Sequence, residues 1–269
     1  MSSPSSFGVY SHTMNRIRRA ITFLFSIYAV ISFAVILILT LPFIALAMLL
    51  PSHKRGDALY DVSRISFDLV FISWGIYHRN ILENKNATNG PAIYVYNHIS
   101  YMDAMVILKT IRNKSIRALG KVEIASIPVL GRIYKEAVIT VKRDSPEDRK
   151  RSVEDMKSAI EKGSSIIIAP EGTFNMSDKP LSKFYDGAFR IALQTRTPIT
   201  PILILDTFNR MHFDSLFSIV PGKSRSVLLD PVPLEGFGES EVERYREHVY
   251  QIMEQALIRY NAPWISKSK

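Results

Sequence analysis

The longest apolar segment of the chain lies close to its N-terminus. Residues 21–50 contain no charged side chain. As a helix they would extend about 45 Å, whereas the hydrocarbon core of a bilayer is about 30 Å thick. Pro42 predicts a kink in this helix. The pattern predicts a retained membrane anchor, either one tilted, kinked span or a helical hairpin that enters one leaflet and returns. A cleaved signal peptide is disfavoured because its apolar region is usually much shorter.

Basic residues flank the apolar segment on both sides. Cytoplasmic flanks of membrane segments are enriched in Lys and Arg, so both ends are expected on the cytoplasmic side, which favours the hairpin. We expect the protein at the cytoplasmic (inner) membrane, with the remainder of the chain facing the cytoplasm. The flanking residues are Arg16, Arg18 and Arg19 before the segment and Lys54 and Arg55 after it.

The segment that follows, residues 61–78, is rich in apolar side chains and has few charges. One interpretation is an interfacial helix with Trp74 and Tyr77 at the depth of the lipid headgroups. A core helix of the soluble domain is the alternative. We therefore divide the chain into a basic N-terminus with membrane anchor, residues 1–60, and a domain of residues 61–269 that includes an interfacial helix at about 61–80.

Short β-rich runs alternate with helical patterns from Pro91 onward. This alternation predicts an α/β fold, a mainly parallel mixed sheet flanked by helices. Pro201 lies inside the fourth run and predicts a strand start or an irregular strand. The predicted strands are residues 92–96, 138–141, 164–169, 199–205 and 225–229.

Two helices of this domain have clear boundaries. Ser145 is a typical N-cap, Pro146 suits the first turn, and Asp148 completes a capping-box pattern. Gly163 is placed to end that helix. A second, amphipathic helix is predicted at about residues 240–260.

Charge and cysteine content narrow the function classes. The net charge of +9 favours anionic partners, such as lipid headgroups or phosphorylated substrates. The chain has no cysteine, which excludes disulfides, thiolate metal sites and a cysteine nucleophile. No nucleic-acid-binding motif is present, and the membrane segment explains the basic flanks, so nucleic acid is not an expected partner.

The first candidate for catalysis is the segment directly after the strand at 92–96. His98 is a side chain that accepts a proton near neutral pH, and the carboxylate of Asp103 is a suitable partner to orient it. Five residues apart on one helix, these side chains do not share a face. They meet only if His98 lies in a loop and Asp103 lies in the first turn of the next helix, for which Ser100 is a plausible cap. The alternative is that Asp103 only caps a helix and His98 has no chemical role.

The second candidate is Pro170-Glu171-Gly172-Thr173, directly after the strand at 164–169. Gly172 permits close approach of a ligand to the backbone, and Thr173 with the free amides of a turn is suited to bind an anion. Glu171 is placed to orient a substrate hydroxyl or a neighbouring cation. An ordinary turn between a strand and a loop is the alternative.

These two segments, in this order behind an apolar N-terminus, resemble the glycerolipid acyltransferases, and among them the 1-acylglycerol-3-phosphate acyltransferases. The resemblance covers residues 91–231. Two further segments carry it, one associated in that family with the acceptor. They are Gly120-Lys121-Val122-Glu123 with Pro128 and Gly131-Arg132, and Thr197-Pro198-Ile199-Thr200-Pro201.

The resemblance implies that His98 deprotonates the free sn-2 hydroxyl of lysophosphatidate, which attacks the thioester of acyl-CoA or acyl-carrier protein to give phosphatidate. Asp103 then orients His98, and Lys121 and Arg132 bind the acceptor phosphate. No metal, no cofactor and no covalent acyl-enzyme are implied. The expected partners are membrane phospholipid, lysophosphatidate and the acyl donor. Residues 142–144 are basic enough to contact donor phosphates, although a solvated strand end explains them equally well.

One position departs from the family pattern. Phe174 stands where the family commonly has an arginine that binds phosphate, which leaves Lys121, Arg132, Lys179 or Lys183 to cover that role. Another acceptor therefore stays open, such as a lyso-ornithine lipid, glycerol 3-phosphate or another lysophospholipid. A membrane-anchored protein that binds anionic lipid without catalysis is the third hypothesis.

Overall fold

The sheet at the centre of the protein has seven strands among the residues that the computed structural model describes, namely 16–83, 90–112, 115–128, 130–142 and 145–265. Their order is β1-β7-β6-β2-β5-β3-β4, and β1 and β7 run antiparallel to the other five. The predicted mainly parallel α/β sheet is confirmed. The strands are β1 (Ile76–Leu82), β2 (Ile93–Tyr96), β3 (Ile116–Lys121), β4 (Val138–Val141), β5 (Ser165–Ile168), β6 (Ile199–Ile204) and β7 (Gly222–Leu228).

Helices cover both faces of this sheet. Side chains alternate along β2, so that Ile93 and Val95 join one apolar core while Tyr94 joins the other. The first core is closed by α5, α6 and α8, and the second by α1, α2 and α3. The helices are α1 (Arg16–Met48), α2 (Ser52–Ser73), α3 (Asp103–Thr110), α4 (Leu130–Ala137), α5 (Pro146–Glu161), α6 (Gly187–Thr195), α7 (Thr207–Arg210) and α8 (Val242–Arg259), with a 3₁₀ turn at Val122–Ser126.

The apolar N-terminal segment is one continuous helix that includes Pro42. The chain reverses only after it, and α2 returns antiparallel to α1. Near the far end of this hairpin, the hydroxyl of Tyr28 donates to the carbonyl of Ser73 at 3.1 Å, and the indole of Trp74 donates to the carbonyl of Ala29 at 3.0 Å. The helical hairpin is therefore formed by α1 with α2, and not within residues 21–50.

α1 is the one helix in the described part of the chain that is long and apolar enough to cross a membrane. Only 11% of its most apolar stretch is buried against the rest of the protein. Its 33 residues correspond to about 50 Å of helix. Large apolar side chains on both hairpin helices face outward, among them Leu24, Ile38 and Leu39 of α1 and Ile65 and Ile72 of α2.

The interfacial helix expected at about residues 61–80 has other boundaries. α2 ends at Ser73, Trp74 is buried at 2% exposure, and Tyr77 is an exposed residue of β1. One face of α2 packs on the domain, where the hydroxyl of Tyr60 donates to the carbonyl of Ala137 at 2.8 Å. The helix thus combines the two alternatives, a core-facing side and an exposed apolar side.

Strands β1 and β3 have no counterpart among the five predicted ones, and β7 begins three residues earlier than expected. Pro201 lies inside β6 because its carbonyl accepts from the amide of Leu229 at 3.0 Å, so its nitrogen also faces β7. The ladder with β7 begins only at Ile202. The missing N–H therefore breaks no bond between β6 and β2.

The predicted boundaries of α5 are confirmed. The hydroxyl of Ser145 accepts from the amide of Asp148 at 3.1 Å, and Pro146 begins the helix. Gly163 follows the helix with a φ of 85°, a conformation that favours glycine. The amphipathic helix predicted at about residues 240–260 corresponds to α8, Val242–Arg259.

Candidate active site

His98 and Asp103 meet at the carboxyl end of β2. His98 lies in the loop after the strand, and Asp103 is the first residue of α3. His98 Nδ1 is 2.8 Å from Asp103 Oδ2. The side chains therefore pair in the arrangement that a separation of five residues requires, with a loop residue facing the first helical turn.

The carboxylate of Asp103 is fully buried and accepts hydrogen bonds on both oxygens. Oδ2 also accepts from the amides of Ile99 and Ser100, at 2.7 and 2.9 Å. Oδ1 accepts from the hydroxyl of Thr207 at 2.7 Å. These bonds fix the orientation of the carboxylate, and through it the plane of the imidazole.

Ser100 supplies only half of the predicted capping box. Its amide donates to Asp103, but its hydroxyl donates to the carbonyl of Met211 at 2.6 Å and accepts from the amide of Met102 at 3.1 Å. α3 begins without a side-chain cap from its N-cap residue, Met102. Ser100 therefore ties the His98 loop to the segment after β6 more than it caps α3.

The hydrogen bond to Asp103 assigns the tautomer of His98. Nδ1 carries the proton and donates it to the carboxylate, so Nε2 presents a lone pair. Among the described residues Nε2 has no hydrogen-bond partner, and the side chain is 24% exposed. The rings of Tyr96 and Phe174 lie beside the imidazole, with centroids at 5.6 and 4.3 Å. The geometry presents an oriented, accessible proton acceptor.

Glu171 lies beneath this loop and is 2% exposed. Oε1 accepts from the amide of His98 at 2.9 Å, and Oε2 accepts from the amide and hydroxyl of Ser182, at 2.8 and 2.6 Å. Burial raises the pKa of Glu171, and the bonds from Ser182 and His98 oppose that rise. Oε1 thus holds the His98 loop and Oε2 holds the segment at Ser182, so the carboxylate is bonded within the protein, and the substrate contact expected for Glu171 stays a prediction.

The turn that contains Glu171 crosses over the His98 loop. Gly172 has a φ of 71°, and the amide of Asn175 donates to the carbonyl of His98 at 2.7 Å. Thr173 is exposed beside the imidazole loop. Phe174 packs between the rings of His98 and Tyr101, with a centroid distance of 4.8 Å to the latter. At the position where the family pattern has an arginine, this site therefore has an aromatic side chain packed beside His98.

Lys121 and Arg132 are both exposed. Lys121 ends β3, at the same edge of the sheet as His98 and two strands away, a spacing of about 10 Å. Arg132 lies on α4, and among the described residues no hydrogen bond or ion pair links it to the His98 loop. Gly131 is needed for close packing, because a Cβ there would lie 2.1 Å from the carbonyl oxygen of Ala125.

The other basic candidates lie on two further segments. Lys179 and Lys183 are exposed on the segment after the Glu171 turn, and Lys142 is exposed after β4. Residues 143 and 144 lie outside the described part of the chain. In that described part, no group of three His, Asp or Glu side chains is arranged to hold a metal ion.

Three residues of the site were missed by the sequence analysis: Thr207, Ser182 and Asn97. Asn97 bridges β2 to β6, since its amide group donates to the carbonyl of Ile204 and accepts from the amide of the same residue. Thr207 follows the predicted fourth strand by two residues. Its position at the carboxyl edge, where ligands bind in such sheets, was a usable signal.

A cavity of about 760 Å³ opens beside the Glu171 turn. It lies between α5 and α6, against the sheet, and Pro170 and Gly172 are among its lining residues. Most of its lining is apolar, and its charged lining residues are Lys150, Glu154, Asp186 and Arg190.

Comparison with known proteins places this geometry in a family. Residues 68–205, half of the chain, match the acyltransferase family model. A 1-acyl-sn-glycerol-3-phosphate acyltransferase from Cocos nucifera is 27% identical over 200 residues, covering 74% of this chain and 64% of its own length. A chloroplastic 1-acyl-sn-glycerol-3-phosphate acyltransferase from Brassica napus is 31% identical over 152 residues, covering 56% of this chain and 43% of its own.

A solved structure shares the fold. The crystal structure of the 1-acyl-sn-glycerophosphate acyltransferase from Thermotoga maritima aligns with a TM-score of 0.67 at 21% identity, covering 94% of this chain and 100% of that one. The chain thus spans about two thirds of the coconut relative and less than half of the rapeseed one. On the family-model match, the chain belongs to the acyltransferase family.

Proposed function

We propose that this protein transfers a fatty acyl group from a thioester donor to the sn-2 hydroxyl of lysophosphatidate, giving phosphatidate. The observation that carries the proposal is the His98–Asp103 pair at 2.8 Å, with Nε2 of the imidazole exposed. The names of the relatives from Cocos nucifera and Brassica napus support the choice of acceptor.

The reaction follows from the tautomer of His98. Nε2 accepts the proton of the acceptor hydroxyl while its oxygen attacks the thioester carbonyl. The imidazolium that forms is stabilised by Asp103. When the tetrahedral intermediate collapses, the C–S bond breaks and the proton passes from Nε2 to the leaving thiolate. One ester and one thiol are formed, and His98 returns to its starting state.

The other residues of the site receive proposed roles from their positions. Thr173 is exposed on the turn beside His98 and is proposed to bind substrate through its hydroxyl, with Gly172 allowing close approach. Lys121 and Arg132 are proposed ligands for substrate phosphate. Glu171 is a positioning residue, because its carboxylate is buried and bonded to the His98 amide.

The donor is acyl-CoA or acyl-carrier protein. The cavity lined by Pro170 and Gly172 is mostly apolar, which suits an apolar part of a substrate, and its charged lining residues are Lys150, Arg190, Glu154 and Asp186. Both donors carry phosphate on a pantetheine arm, so this chemistry suits either. Direct comparison of turnover with the two donors distinguishes them.

The reaction is proposed to occur at the cytoplasmic face of the inner membrane. The hairpin of α1 and α2 supports membrane attachment, since its outward side chains are apolar along most of α1 and in the second half of α2. A lipid acceptor would then reach His98 from the bilayer surface.

The test is release of free thiol from acyl-CoA by the full chain in detergent. Thiol release should depend on lysophosphatidate, and phosphatidate should accumulate in equal amount. His98→Ala should lower kcat about 10²- to 10⁴-fold, while His248→Ala, on the distant helix α8, serves as the matched control. If His98→Ala retains the wild-type kcat, the mechanism is wrong.

A second candidate keeps the chemistry and changes the acceptor, and Phe174 favours it because a phenyl ring gives no charge-assisted bond to phosphate. A panel of lysophosphatidate, glycerol 3-phosphate, lyso-ornithine lipid and lysophosphatidylcholine decides between them by kcat/KM. No acceptor-dependent thiol release with any of these would favour a non-catalytic, anionic-lipid-binding protein.

A further inference from the structure

A second cavity, of about 810 Å³, lies between the N-terminal part of α1 and the segment that follows α7. Arg18 and Arg19 line it from α1, and Arg210 and His212 line it from the opposite wall. The two walls are tied together, since the amide of Ile219 donates to the hydroxyl of Ser26 at 2.9 Å. The walls of the cavity are thus formed by two segments that pack against each other.

This cavity concentrates positive charge. Among the residues that the structure describes, three arginines and no Asp or Glu line it. Of the acids near it in the chain, Asp206 accepts two hydrogen bonds from Arg225 at 2.8 and 2.9 Å, and Asp214 lies 3.2 Å from His212, itself a lining residue. The guanidinium groups therefore lack a full counter-charge in the described part of the chain.

Arg210 is the arginine held most firmly by the protein. One Nη donates to the carbonyl of Pro221, and the buried Nε has no hydrogen-bond partner among the described residues. Burial lowers the pKa of Arg210, and Asp206 opposes that change. Arg210 also lines the cavity, so it contributes a positive charge there that the fold holds in place.

The position of the cavity indicates which anion it receives. Arg18 and Arg19 immediately precede the apolar part of α1, where Ile21 and Leu24 are exposed at 62 and 65%. Basic residues at the end of an apolar helix lie at the depth of lipid headgroups. Guanidinium groups bind phosphate oxygens in pairs, and several converge here.

We propose that this cavity is a binding site for the phosphomonoester headgroup of a membrane lipid, separate from the catalytic centre. The inference rests on the proposed function in two respects, the membrane location and the phosphomonoester headgroup of the acceptor and product. Its lipid would lie with the chain along α1 and the phosphate between Arg18, Arg19 and Arg210. Both the acceptor and the product of the proposed reaction carry such a headgroup, so the site would receive the acceptor before it reaches His98.

The cavity wall is continuous with the segment that braces the catalytic pair. Thr207 begins α7, which ends at Arg210, and its hydroxyl donates to Asp103. The carbonyl of Met211, next along the chain, accepts from Ser100. A headgroup bound to Arg210 therefore contacts the same segment that holds the Asp103 carboxylate.

The test measures binding without turnover, using the full chain and no acyl donor. Phosphatidylcholine vesicles are doped with phosphatidate or with phosphatidylglycerol, a phosphodiester, at equal zeta potential. Wild type should prefer the phosphatidate vesicles. Arg18→Gln with Arg19→Gln should lower that preference about tenfold or more. Lys54→Gln, which removes a charge at the other end of α1, should retain it.

Arg210→Gln is a second variant for the same vesicle comparison, and circular dichroism verifies that it folds. If Arg210→Gln does not fold, the variant with both Arg18 and Arg19 replaced still tests the proposal. Inorganic phosphate in solution should compete only weakly with the vesicles, because a lipid gains affinity from its acyl chain. Full competition at equal concentration would identify free phosphate as the ligand and overturn the lipid assignment. If the arginine variants lose binding to both vesicle types equally, the arginines attract any anionic membrane without specificity, and the proposed site is overturned. Because no reaction is measured, these results stand whichever acceptor the enzyme uses.

Discussion

The hydroxyl of Thr207 donates a hydrogen bond to Oδ1 of Asp103 at 2.7 Å, and both residues are fully buried. This bond joins the segment after β6 to the first turn of α3. The opposite oxygen of the carboxylate receives His98. Thr207 therefore sets the rotation of the carboxylate that orients the proposed base.

Thr207→Val keeps the shape of the side chain and removes the donor. We expect kcat to fall about 10- to 100-fold with little change in either KM, because His98 is displaced from its productive orientation. Thr207→Ser keeps the hydroxyl and should recover most of the activity. Steady-state thiol release measures both variants. A rise in KM with normal kcat would instead indicate that Thr207 contacts substrate.

Glu171→Gln replaces one carboxylate oxygen with an amide group that cannot accept a hydrogen bond. That group must then face the amide of His98 or the donors of Ser182, so we expect a loss of about 1–3 kcal/mol in unfolding free energy and a lower kcat. Ser182→Ala removes one donor and should have a smaller effect on both. Thermal unfolding and thiol release test this order. An effect confined to the acceptor KM would restore the substrate contact predicted for Glu171.

Phe174→Arg introduces the cation that the family pattern has at this position. The phenyl ring lies 4.3 Å from the imidazole, so a guanidinium there would be close to an acceptor bound at His98. We expect kcat/KM for lysophosphatidate to rise several-fold relative to that for lysophosphatidylcholine. Phe174→Leu is the control, since it loses the same aromatic contacts without gaining charge. An unchanged ratio in Phe174→Arg would show that acceptor phosphate lies elsewhere.

Elements with a strong local signal could be predicted from the sequence. The continuous isoleucines of β5, the caps of α5 and the apolar face of α8 depend on neighbours in the chain, and the structure has all three. For His98 and Asp103 the spacing gave only where a pair could meet, and the pairing itself was implied by the family resemblance. A spacing of five residues excludes one helix face and leaves the junction of a loop and a helix.

Features that depend on distant parts of the chain could not be predicted in this way. β1 has polar residues where a strand usually has apolar ones, because His78 and Asn80 bond to Ser224 and Ser226 of β7 and not to an apolar core. The buried bonds of Glu171 depend on Ser182, eleven residues onward. The sequence therefore did not reveal that the carboxylate of Glu171 is bonded within the fold.

The polar pairing at β1 leads to a prediction about pH. His78 Nε2 donates to Asn80 Oδ1 at 2.6 Å, and Nδ1 accepts from Ser224 at 3.0 Å. Burial lowers the pKa of His78 to about 4 from an ordinary value of 6.5, with Lys109 and Arg112 adding to the effect while Asn80 and Asp206 oppose it. The folded protein thus binds this proton less readily than the unfolded chain does.

For a group whose pKa is lower in the folded state, the stabilising contribution is present above pH 6.5 and is lost as the pH falls towards about 4. At pH 5 we expect a loss of about 1–2 kcal/mol from this residue, allowing for its partial exposure. His212, whose pKa burial also lowers, adds to the same trend. The carboxyl group of Asp68 does not add to this trend. Its pKa is lowered from 3.8, so its stabilising contribution is lost only at more acidic pH.

His78→Gln isolates the contribution of His78. The glutamine amide can donate to Asn80 and accept from Ser224, as the neutral imidazole does, but it does not titrate. The difference in Tm between pH 7.5 and pH 5, measured in detergent, should be smaller in His78→Gln than in the wild type. His248→Gln, on the outer part of α8, should keep the full wild-type difference. If His78→Gln shows that same full difference, the acid sensitivity arises elsewhere, with the His212–Asp214 pair next to be tested.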